Sequence, residues 1–301
     1  MNARVSVVMS VYNGAASLAA TLDSIVAQTM RDFELIAIDD GSTDVTPQIL
    51  ARYAAADPRI RVITQPNAGL TRALIRGCAE AGAPVIARHD CGDVSHPERL
   101  AKQLALLEQG HVVTGTAARF VSHEGDTLYF ARGDGDEVRH SLLHDDPVRI
   151  HGIVHATAMF RRDAYLAAGG YRAEFRTAQD LDLWIRLAPL GTFVVTEEVL
   201  YEALFDARSI SGSSRESQVR LTEIAVALRD GGDARTLLAE AAGVRKGSIT
   251  RGGEAAALYF IAKCLLDQKN TNGRRYLWRA VKRNPLHWRS WFWLLASLRP
   301  R

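Results

Sequence analysis

The sequence predicts an α/β protein in which a mostly parallel sheet is flanked by helices and followed by a helical C-terminal region. Three observations predict this class. Short apolar runs alternate with helical patterns through the first hundred residues, polar clusters follow the runs, and the chain beyond residue 217 has helical patterns throughout. A Ser-rich stretch at 208–217 separates the two parts, so we predict a sheet domain over 1–210 and a helical region over 211–301.

The first strand is predicted at residues 5–11, an apolar run without polar alternation that is typical of a strand covered on both faces. Residues 17–28 then place Leu18, Leu22 and Ile25 on one face of a helix. The pattern continues with strands at 33–38, 60–64 and 84–87, a helix capped by Thr43 or Asp44, and a helix over 71–81. Such alternation predicts a parallel sheet with helices on both faces.

The second half of the sheet domain has a more mixed pattern. We predict strands at 112–115, 156–160 and 192–195, and helices near 163–168 and 180–187. These elements are expected to complete the sheet. In the helical region, glycine pairs at 231–232 and 252–253 are expected to break the helices.

Composition excludes several classes of protein. Apolar residues make up 47% of the 301 residues and charged residues 24%, which is the balance of a globular protein and excludes disordered and collagen-like chains. Three cysteines without CxxC spacing (Cys78, Cys91 and Cys264) favour neither a disulfide framework nor a zinc cluster. We find no signal-peptide pattern and no apolar run of membrane-spanning length, and we expect a reducing, cytoplasmic compartment.

The net charge of +3 hides an uneven distribution. Residues 216–301 carry 16 Lys and Arg against 7 Asp and Glu, a net of +9, whereas the first 215 residues carry 21 basic and 27 acidic groups, a net of −6. The basic helical region is therefore the part suited to an anionic surface.

Polar clusters rich in Asp, Asn and Gly follow the predicted parallel strands. They are Asn13-Gly14, Asp39-Asp40-Gly41-Ser42, Asn67-Ala68-Gly69 and Asp90-Cys91-Gly92-Asp93. Ligands of such sheets bind beyond the carboxyl ends of the strands. The first strand is not followed by GxGxxG, which argues against a dinucleotide-binding domain. Carboxylates at these ends suit contacts with a nucleotide and with a hard divalent cation.

Five blocks of sequence then carry a resemblance. They are VSVVMSVYNG at 5–14, ELIAIDDGSTD at 34–44, NAGLTRA at 67–73, HDCGDVSHPERL at 89–100 and GGYRAEFRTAQDLDLWIRLA at 169–188. In this order and spacing the chain resembles a family 2 glycosyltransferase over about residues 4–205. The resemblance implies the GT-A (Rossmann-like) fold and an inverting transfer from a nucleoside diphosphate sugar, with a UDP-sugar as the first expectation.

The resemblance also implies roles for individual residues. The expected nucleotide-binding residues are Tyr12, Asn13, Asp39, Asp40, Asn67, Arg72 and Asp90. Asp180 occupies the position of the family's catalytic base. Inverting transfer is a single displacement, so one base that takes the proton of the acceptor hydroxyl is sufficient.

The chain departs from the family pattern at two positions. Gly92 stands where the family usually has an acid that binds the metal, so either Asp93 acts with Asp90 on a Mg²⁺ or Mn²⁺ ion, or metal binding is weak or absent. In a metal-free enzyme, Arg88, Arg172 or Arg176 would neutralise the leaving diphosphate. Gln179 replaces the usual Glu beside Asp180, which removes one like charge from the expected base.

Structural alternatives exist for these assignments. A simple turn would also explain the residue types of Asp39-Asp40-Gly41-Ser42. Aspartate is preferred at helix N-caps, so Asp180 and Asp93 could each be a cap instead. His151 and His155 fit either a phosphate contact or a hydrogen-bonded structural role. For Cys91 we expect no catalytic role.

The helical region also allows two interpretations. From residue 270 to the C-terminus there are eight Lys and Arg, no acid, and four of the five tryptophans. Basic residues interleaved with aromatic residues are typical of a helix on an anionic membrane surface. The alternative is a tetratricopeptide-like helix pair whose aromatic residues form its core. No nucleic-acid-binding module accompanies the basic charge, so nucleic acid is not expected as a partner.

The sequence therefore predicts an inverting glycosyltransferase of polysaccharide or glycolipid assembly that uses a glycan or lipid-linked acceptor. It would work in the cytoplasm, at the inner face of the cell membrane if the helical region binds lipid. The alternative, suggested by Gly92, is a non-catalytic nucleotide-sugar-binding or scaffold protein of the same fold.

Overall fold

A computed structural model describes residues 3–206, 215–245 and 250–298. The chain forms two compact units. The first contains Met1–Ala118, Ala131–Ala203 and Arg220–Val244, and the second contains Arg119–Phe130, Leu204–Val219 and Arg245–Arg301.

Four parallel strands form one half of the sheet of the first unit. They are β1 (Val5–Val11), β2 (Phe33–Asp39), β3 (Ile60–Thr64) and β4 (Val85–Asp90), in the order β3-β2-β1-β4. Val11 lies opposite Asp39 and Ser10 opposite Asp90, so β1, β2 and β4 end at the same edge. Parallel pairing with this register brings the polar clusters together.

The other half of the sheet contains antiparallel pairs. Its strands are β5 (Val94–Ser95), β6 (Val113–Val121), β8 (Met159–Arg161) and β9 (Phe193–Leu204), and they extend the order to β4-β8-β6-β9-β5. β8 runs antiparallel to both β4 and β6, and β5 runs antiparallel to β9. A further strand, β7 (Thr127–Ala131), pairs with β6.

Helices cover both faces of the sheet. One core contains Val8 and Ile38 from the sheet, and the other contains Val7 and Met9. Successive residues of β1 thus enter opposite cores, which explains why this strand lacks polar alternation. The helices of the first unit are α1 (Leu18–Val26), α2 (Thr46–Ala56), α3 (Leu70–Ala79), α4 (Arg99–Glu108), α5 (Gly135–His144), α6 (Arg162–Ala167), α7 (Gln179–Leu187), most of α8 (Arg215–Arg229), and α9 (Ala234–Gly243).

Among the described residues, the second unit contains the first residues of α8 and three further helices, α10 (Arg251–Asp267), α11 (Gly273–Arg283) and α12 (Trp288–Leu298). Its core is a separate apolar cluster that includes Leu265, Leu277 and Leu294, together with Leu128 near the start of β7. Among the described residues, no helix has both the length and the apolar content needed to cross a membrane.

The predicted α/β class with a helical C-terminal region is confirmed. The predicted boundaries of β1 and β3 match the structure. Helix α2 begins at Thr46, with Val45 at the N-cap, and Asp44 still accepts the N–H of Thr46 at 2.9 Å. Gly252 and Gly253 lie inside the first turn of α10 and do not break a helix.

The structure divides the chain differently from the predicted boundary at 210. Of the Ser-rich stretch predicted as a linker, 208–214 lies outside the described residues, and 215–217 begins α8. Residues 220–244 belong to the first unit because Leu221, Ile224 and Val226 enter its core. The two domains predicted from the sequence remain a prediction.

Candidate active site

The loop after β1 is tied to the loop after β2 by hydrogen bonds of Asn13. Its side-chain oxygen accepts the N–H of Thr43 at 2.8 Å, and its own N–H donates to Ser42 Oγ at 2.9 Å. Asn13 has φ of 51°, a left-handed conformation that asparagine tolerates better than most residues. Tyr12, the preceding residue, is exposed. Asn13 therefore shapes the rim of the site, and Tyr12 offers an accessible aromatic ring.

Asp40 is buried and holds the loop before α3. Its carboxylate accepts Gln65 Nε2 at 2.7 Å, the N–H of Ala68 at 2.9 Å and the N–H of Gly69 at 2.8 Å. The side chain of Asn67 donates to the Asp40 carbonyl at 2.9 Å. Both carboxylate oxygens of Asp40 thus have protein donors, so Asp40 positions this loop, and its predicted contact with a nucleotide stays a prediction.

Asp39 differs from its neighbour in the bonds of its carboxylate. One oxygen accepts the N–H of Ser42 at 3.0 Å, and no described donor bonds to the other oxygen. The turn from Asp39 to Ser42 is compact: Gly41 has φ of 76°, and a Cβ there would lie 2.7 Å from the backbone nitrogen of Asn67. Asp39 is therefore the member of the acidic pair that has one carboxylate oxygen without a described donor.

Asn67 and Arg72 lie on either side of the start of α3. Asn67 is engaged with the Asp40 carbonyl, as described above. Arg72 is exposed on the first turn of the helix. Both predicted nucleotide contacts from this block are exposed, and Arg72 is the one that carries a charge.

Arg88 and Asp90 form an ion pair at the end of β4. Arg88 Nη1 lies 2.5 Å from Asp90 Oδ1, with side-chain exposures of 2% and 41% respectively. Apart from this ion pair, the three guanidinium nitrogens have no hydrogen-bond partner among the described residues. Burial is the largest single influence on the pKa of Arg88 and opposes the charged form. Asp90, together with the nearby Tyr171 and Tyr201, outweighs it, so the pKa of Arg88 is raised. A charged, incompletely bonded guanidinium is therefore held beside the exposed Asp90.

The turn after Asp90 determines how a metal ion could be bound. Gly92 has φ of 107°, a conformation that an acidic side chain rarely adopts, and its N–H donates to Thr21 Oγ1 at 3.0 Å. Asp93 is only 6% exposed. The described residues contain no group of three His, Cys, Asp or Glu suited to a metal. The donor set fits a weakly bound cation that Asp90 contacts first, with further ligands from outside the protein.

Asp180 lies in the first turn of α7, whose N-cap is Ala178. The alternative interpretation of Asp180 as the N-cap is therefore wrong. Burial raises the pKa of Asp180 and the charge of Asp90 adds to this, while the backbone N–H groups of Asp180 and Leu181 and the charge of Arg88 oppose it. A carboxylate with a raised pKa is a better proton acceptor than an ordinary aspartate.

His155 has a structural role in this region. Its Nε2 lies 2.7 Å from the Tyr171 hydroxyl, and burial lowers the pKa of His155 well below the usual range, which favours the neutral ring. Arg172 is paired with the buried Asp182 at 3.0 Å. The structure thus favours the hydrogen-bonded alternative for His155. Of the three predicted cations, Arg88 and the exposed Arg176 are the ones not paired with Asp182.

A network beneath the turn was not predicted from the sequence. Tyr201 accepts the N–H of Asp90 at 3.1 Å, and the guanidinium carbon of Arg99 lies 4.7 Å from the Tyr201 ring centroid. Arg99 also donates to Ser95 Oγ at 3.0 Å, and this hydroxyl lies 2.9 Å from His89 Nε2.

Burial raises the pKa of the nearby Cys91 thiol to about 12, which keeps it protonated and agrees with its expected lack of a catalytic role.

The family of the chain follows from a match to a family model. The model described as glycosyl transferase family 2 matches residues 6–167, which is more than half of the chain. The chain belongs to glycosyl transferase family 2. It is a glycosyltransferase, as the resemblance of the five sequence blocks implied.

Two relatives of this family 2 glycosyltransferase have similar lengths. Putative glycosyltransferase EpsE from Bacillus subtilis (strain 168) is 35% identical over 214 residues, which cover 69% of the chain and 74% of EpsE. O-antigen biosynthesis glycosyltransferase WbnJ from Escherichia coli is 31% identical over 186 residues, which cover 61% of the chain and 71% of WbnJ.

Solved structures confirm the GT-A fold. Staphylococcus aureus TarS 1–349 in complex with UDP has a TM-score of 0.61 and 18% identity, with 88% of this chain and 82% of that chain covered. Mannosyltransferase PcManGT from Pyrobaculum calidifontis, in complex with GDP-Man and Mn²⁺, has a TM-score of 0.55 and 19% identity, with 98% and 85% covered. At these identities the likeness establishes the fold alone.

Proposed function

We propose that this glycosyltransferase transfers a sugar, with inversion at the anomeric carbon, from a nucleoside diphosphate sugar to a hydroxyl of a glycan or lipid-linked acceptor. The names of its relatives support a role in polysaccharide assembly, and the UDP and GDP-Man bound to structural neighbours support a nucleotide-sugar donor. The observation that carries the proposal is the placement of Asp180, with a raised pKa, in the electrostatic field of both Arg88 and Asp90.

In this mechanism Asp180 takes the proton of the acceptor hydroxyl as its oxygen attacks the anomeric carbon. The raised pKa brings Asp180 closer to the pKa that an efficient general base needs. A single displacement inverts the configuration, so no covalent sugar intermediate and no second carboxylate nucleophile are required.

Arg88 stabilises the charge that develops on the departing diphosphate. A guanidinium can donate several hydrogen bonds to phosphate oxygens, and apart from the ion pair with Asp90 the guanidinium of Arg88 has no described protein partner. Because the group is buried, its field is screened less than that of a surface arginine. A bound Mg²⁺ or Mn²⁺ would supply further charge neutralisation at the same phosphates.

The function is tested with a panel of UDP- and GDP-sugars and a mixture of glycan acceptors, with the anomeric configuration of the product read by NMR. Transfer with an inverted anomer is expected, and a UDP-sugar is the first donor to test. Retention of configuration would contradict the mechanism. Nucleotide binding without transfer from any donor would favour the non-catalytic alternative instead.

Asp39→Asn is expected to raise the Kd for the nucleoside diphosphate about tenfold to a hundredfold. Asp39 is proposed to accept an N–H from the base, and a lost hydrogen bond to a charged group costs about 1.5–3 kcal/mol. Isothermal titration calorimetry measures the change. Asp57→Asn is the matched control, since Asp57 pairs with Arg59 just before the start of β3, at the edge of the sheet away from the site. The affinity of this variant for the nucleoside diphosphate should equal that of the parent. An unchanged Kd for Asp39→Asn would show that the nucleobase does not bind at Asp39.

Removal of divalent cations with EDTA is expected to stop transfer, and excess Mn²⁺ should restore it. Asp90 is proposed as the principal protein ligand, with Asp93 as a weaker contributor, because Asp90 is the more exposed. Asp90→Ala should therefore raise the Mn²⁺ concentration for half-maximal rate more than Asp93→Ala does. Full activity in EDTA would instead assign neutralisation of the diphosphate to protein cations such as Arg88.

We also propose that the enzyme acts in the cytoplasm, at the inner face of the cell membrane. The basic charge and the tryptophans of the C-terminal region support such contact. A lipid-linked acceptor would be reached at that surface.

A further inference from the structure

Helix α12 exposes large apolar side chains along one face. Trp288, Trp291, Phe292 and Leu295 are all exposed and have the spacing i, i+3, i+4 and i+7. The opposite side of the helix supplies Leu294 to the core of the second unit. The helix is therefore anchored by one face and leaves an apolar stripe on the other, which is unusual for a helix that faces only water.

The stripe extends onto helix α11. Trp278 is exposed, and its ring centroid lies 6.2 Å from that of Trp291. We call the five side chains Trp278, Trp288, Trp291, Phe292 and Leu295 the aromatic stripe. This arrangement shows that the interpretation of the tryptophans as the core of a helix pair does not hold for three of the four, since only Trp293 packs against the core.

Basic residues surround the aromatic stripe. Neither α11 nor α12 contains Asp or Glu, and Lys282 and Arg289 are exposed beside the stripe. Glu124 and Glu254 from neighbouring segments pair with Arg275, Arg279 and Arg283, so they balance only part of the charge. The surface therefore combines accessible tryptophan rings with an excess of positive charge.

We propose that the aromatic stripe is a docking surface for an anionic phospholipid bilayer. Tryptophan rings partition into the membrane–water interface, and the adjacent Lys and Arg are attracted to anionic headgroups. A protein partner would match the apolar residues equally well, but the absence of acid on both helices favours an anionic surface. The inference deepens the proposed site of action and does not depend on transfer.

The proposal is tested by sedimentation of the full chain with vesicles, without donor or acceptor. We expect binding to phosphatidylcholine vesicles that contain about 30% phosphatidylglycerol, and little binding to phosphatidylcholine alone. Binding should weaken between about 0.1 M and about 0.5 M NaCl, because salt screens the headgroup charge. Tryptophan emission should shift to shorter wavelength on binding. This signal reports on the C-terminal region because Trp184, the fifth tryptophan, is already fully buried.

Leu295→Glu should lower the partition coefficient of the protein onto anionic vesicles about tenfold. The change replaces an inserted apolar group by a negative charge, which the anionic headgroups repel. Leu166→Glu is the matched control: the two leucines are 63% and 56% exposed, and both variants add the same charge. Thermal melting checks that both variants fold. Equal partition of the two variants, or no binding of the parent to anionic vesicles, would overturn the proposal. Self-association that Leu295→Glu abolishes, without vesicle binding, would assign the stripe to a second copy of the chain and also overturn it.

Discussion

Replacing Asp180 by Asn is expected to lower kcat for sugar transfer by about 10³-fold, because the amide keeps the shape of the side chain but cannot accept the hydroxyl proton. The Kd for the nucleoside diphosphate should change by less than about twofold, since the proposed role of Asp180 is in the chemical step. Single-turnover kinetics and calorimetry measure the two quantities. A variant with the kcat of the parent would sink the assignment of Asp180 as the base.

Asp182→Asn is the matched control for that result. Asp182 lies on the same helix but is buried between Arg172 and Arg186. The loss of its charge should therefore lower Tm, while kcat should fall far less than in Asp180→Asn. The pH dependence of the parent gives a second measurement. Because the ionised form of Asp180 is the active one and burial raises its pKa, kcat should fall on acidification at a pH above that of an ordinary aspartate. If the acidic side of the profile of kcat against pH gives an apparent pKa at or below that of an ordinary aspartate, the environment described for Asp180 is contradicted.

Arg88→Met is expected to lower kcat by about 10²-fold or more without lowering Tm. Loss of one preorganised charge stabiliser of a transition state typically costs that much. Folding should not suffer, because the only described partner of the buried guanidinium is Asp90 and methionine fills a similar volume. Asp90 remains partly solvated without its partner. Steady-state kinetics and thermal melting of one preparation give both quantities.

Arg88→Lys is the control that keeps the charge but not the planar fork of donors. Its kcat should lie between those of the parent and Arg88→Met. If Arg88→Met lowers Tm by more than about 5 °C while transfer persists, Arg88 is a structural residue and the proposal for the diphosphate is wrong.

The sequence predicted the elements whose own residues determine them. β1 and β3 have the predicted boundaries because their apolar, β-branched runs favour a strand wherever the chain places them. β4 extends past the predicted end at residue 87 to include Arg88, His89 and Asp90. These polar residues are acceptable in the strand because Ser95, six positions after His89, and Tyr201, 111 positions after Asp90, provide partners. Such long-range compensation is not visible in a local pattern.

The candidate site shows the same division. The spacing of the sequence blocks was sufficient to predict which residues gather at the strand ends. It did not reveal that Asp40 is committed to Gln65, Ala68 and Gly69 while one carboxylate oxygen of Asp39 has no described donor. That difference depends on how the loop before α3 returns to the end of β2. The bonding of Arg88 likewise depends on the tertiary structure.

The order of the polar bonds along the chain has a consequence for biosynthesis. The bonds that shape the nucleotide side join residues close in sequence, as Asn13 with Thr43 and Asp40 with Gln65, 30 and 25 positions apart. β8 adds to the outer edge of β4, so it is not threaded between the four parallel strands. These strands can pair while the ribosome is still extending the chain. The bonds around Asn13 and Asp40 can thus form before Asp180 has been synthesised, whereas the bond from Asp90 to Tyr201 must form later.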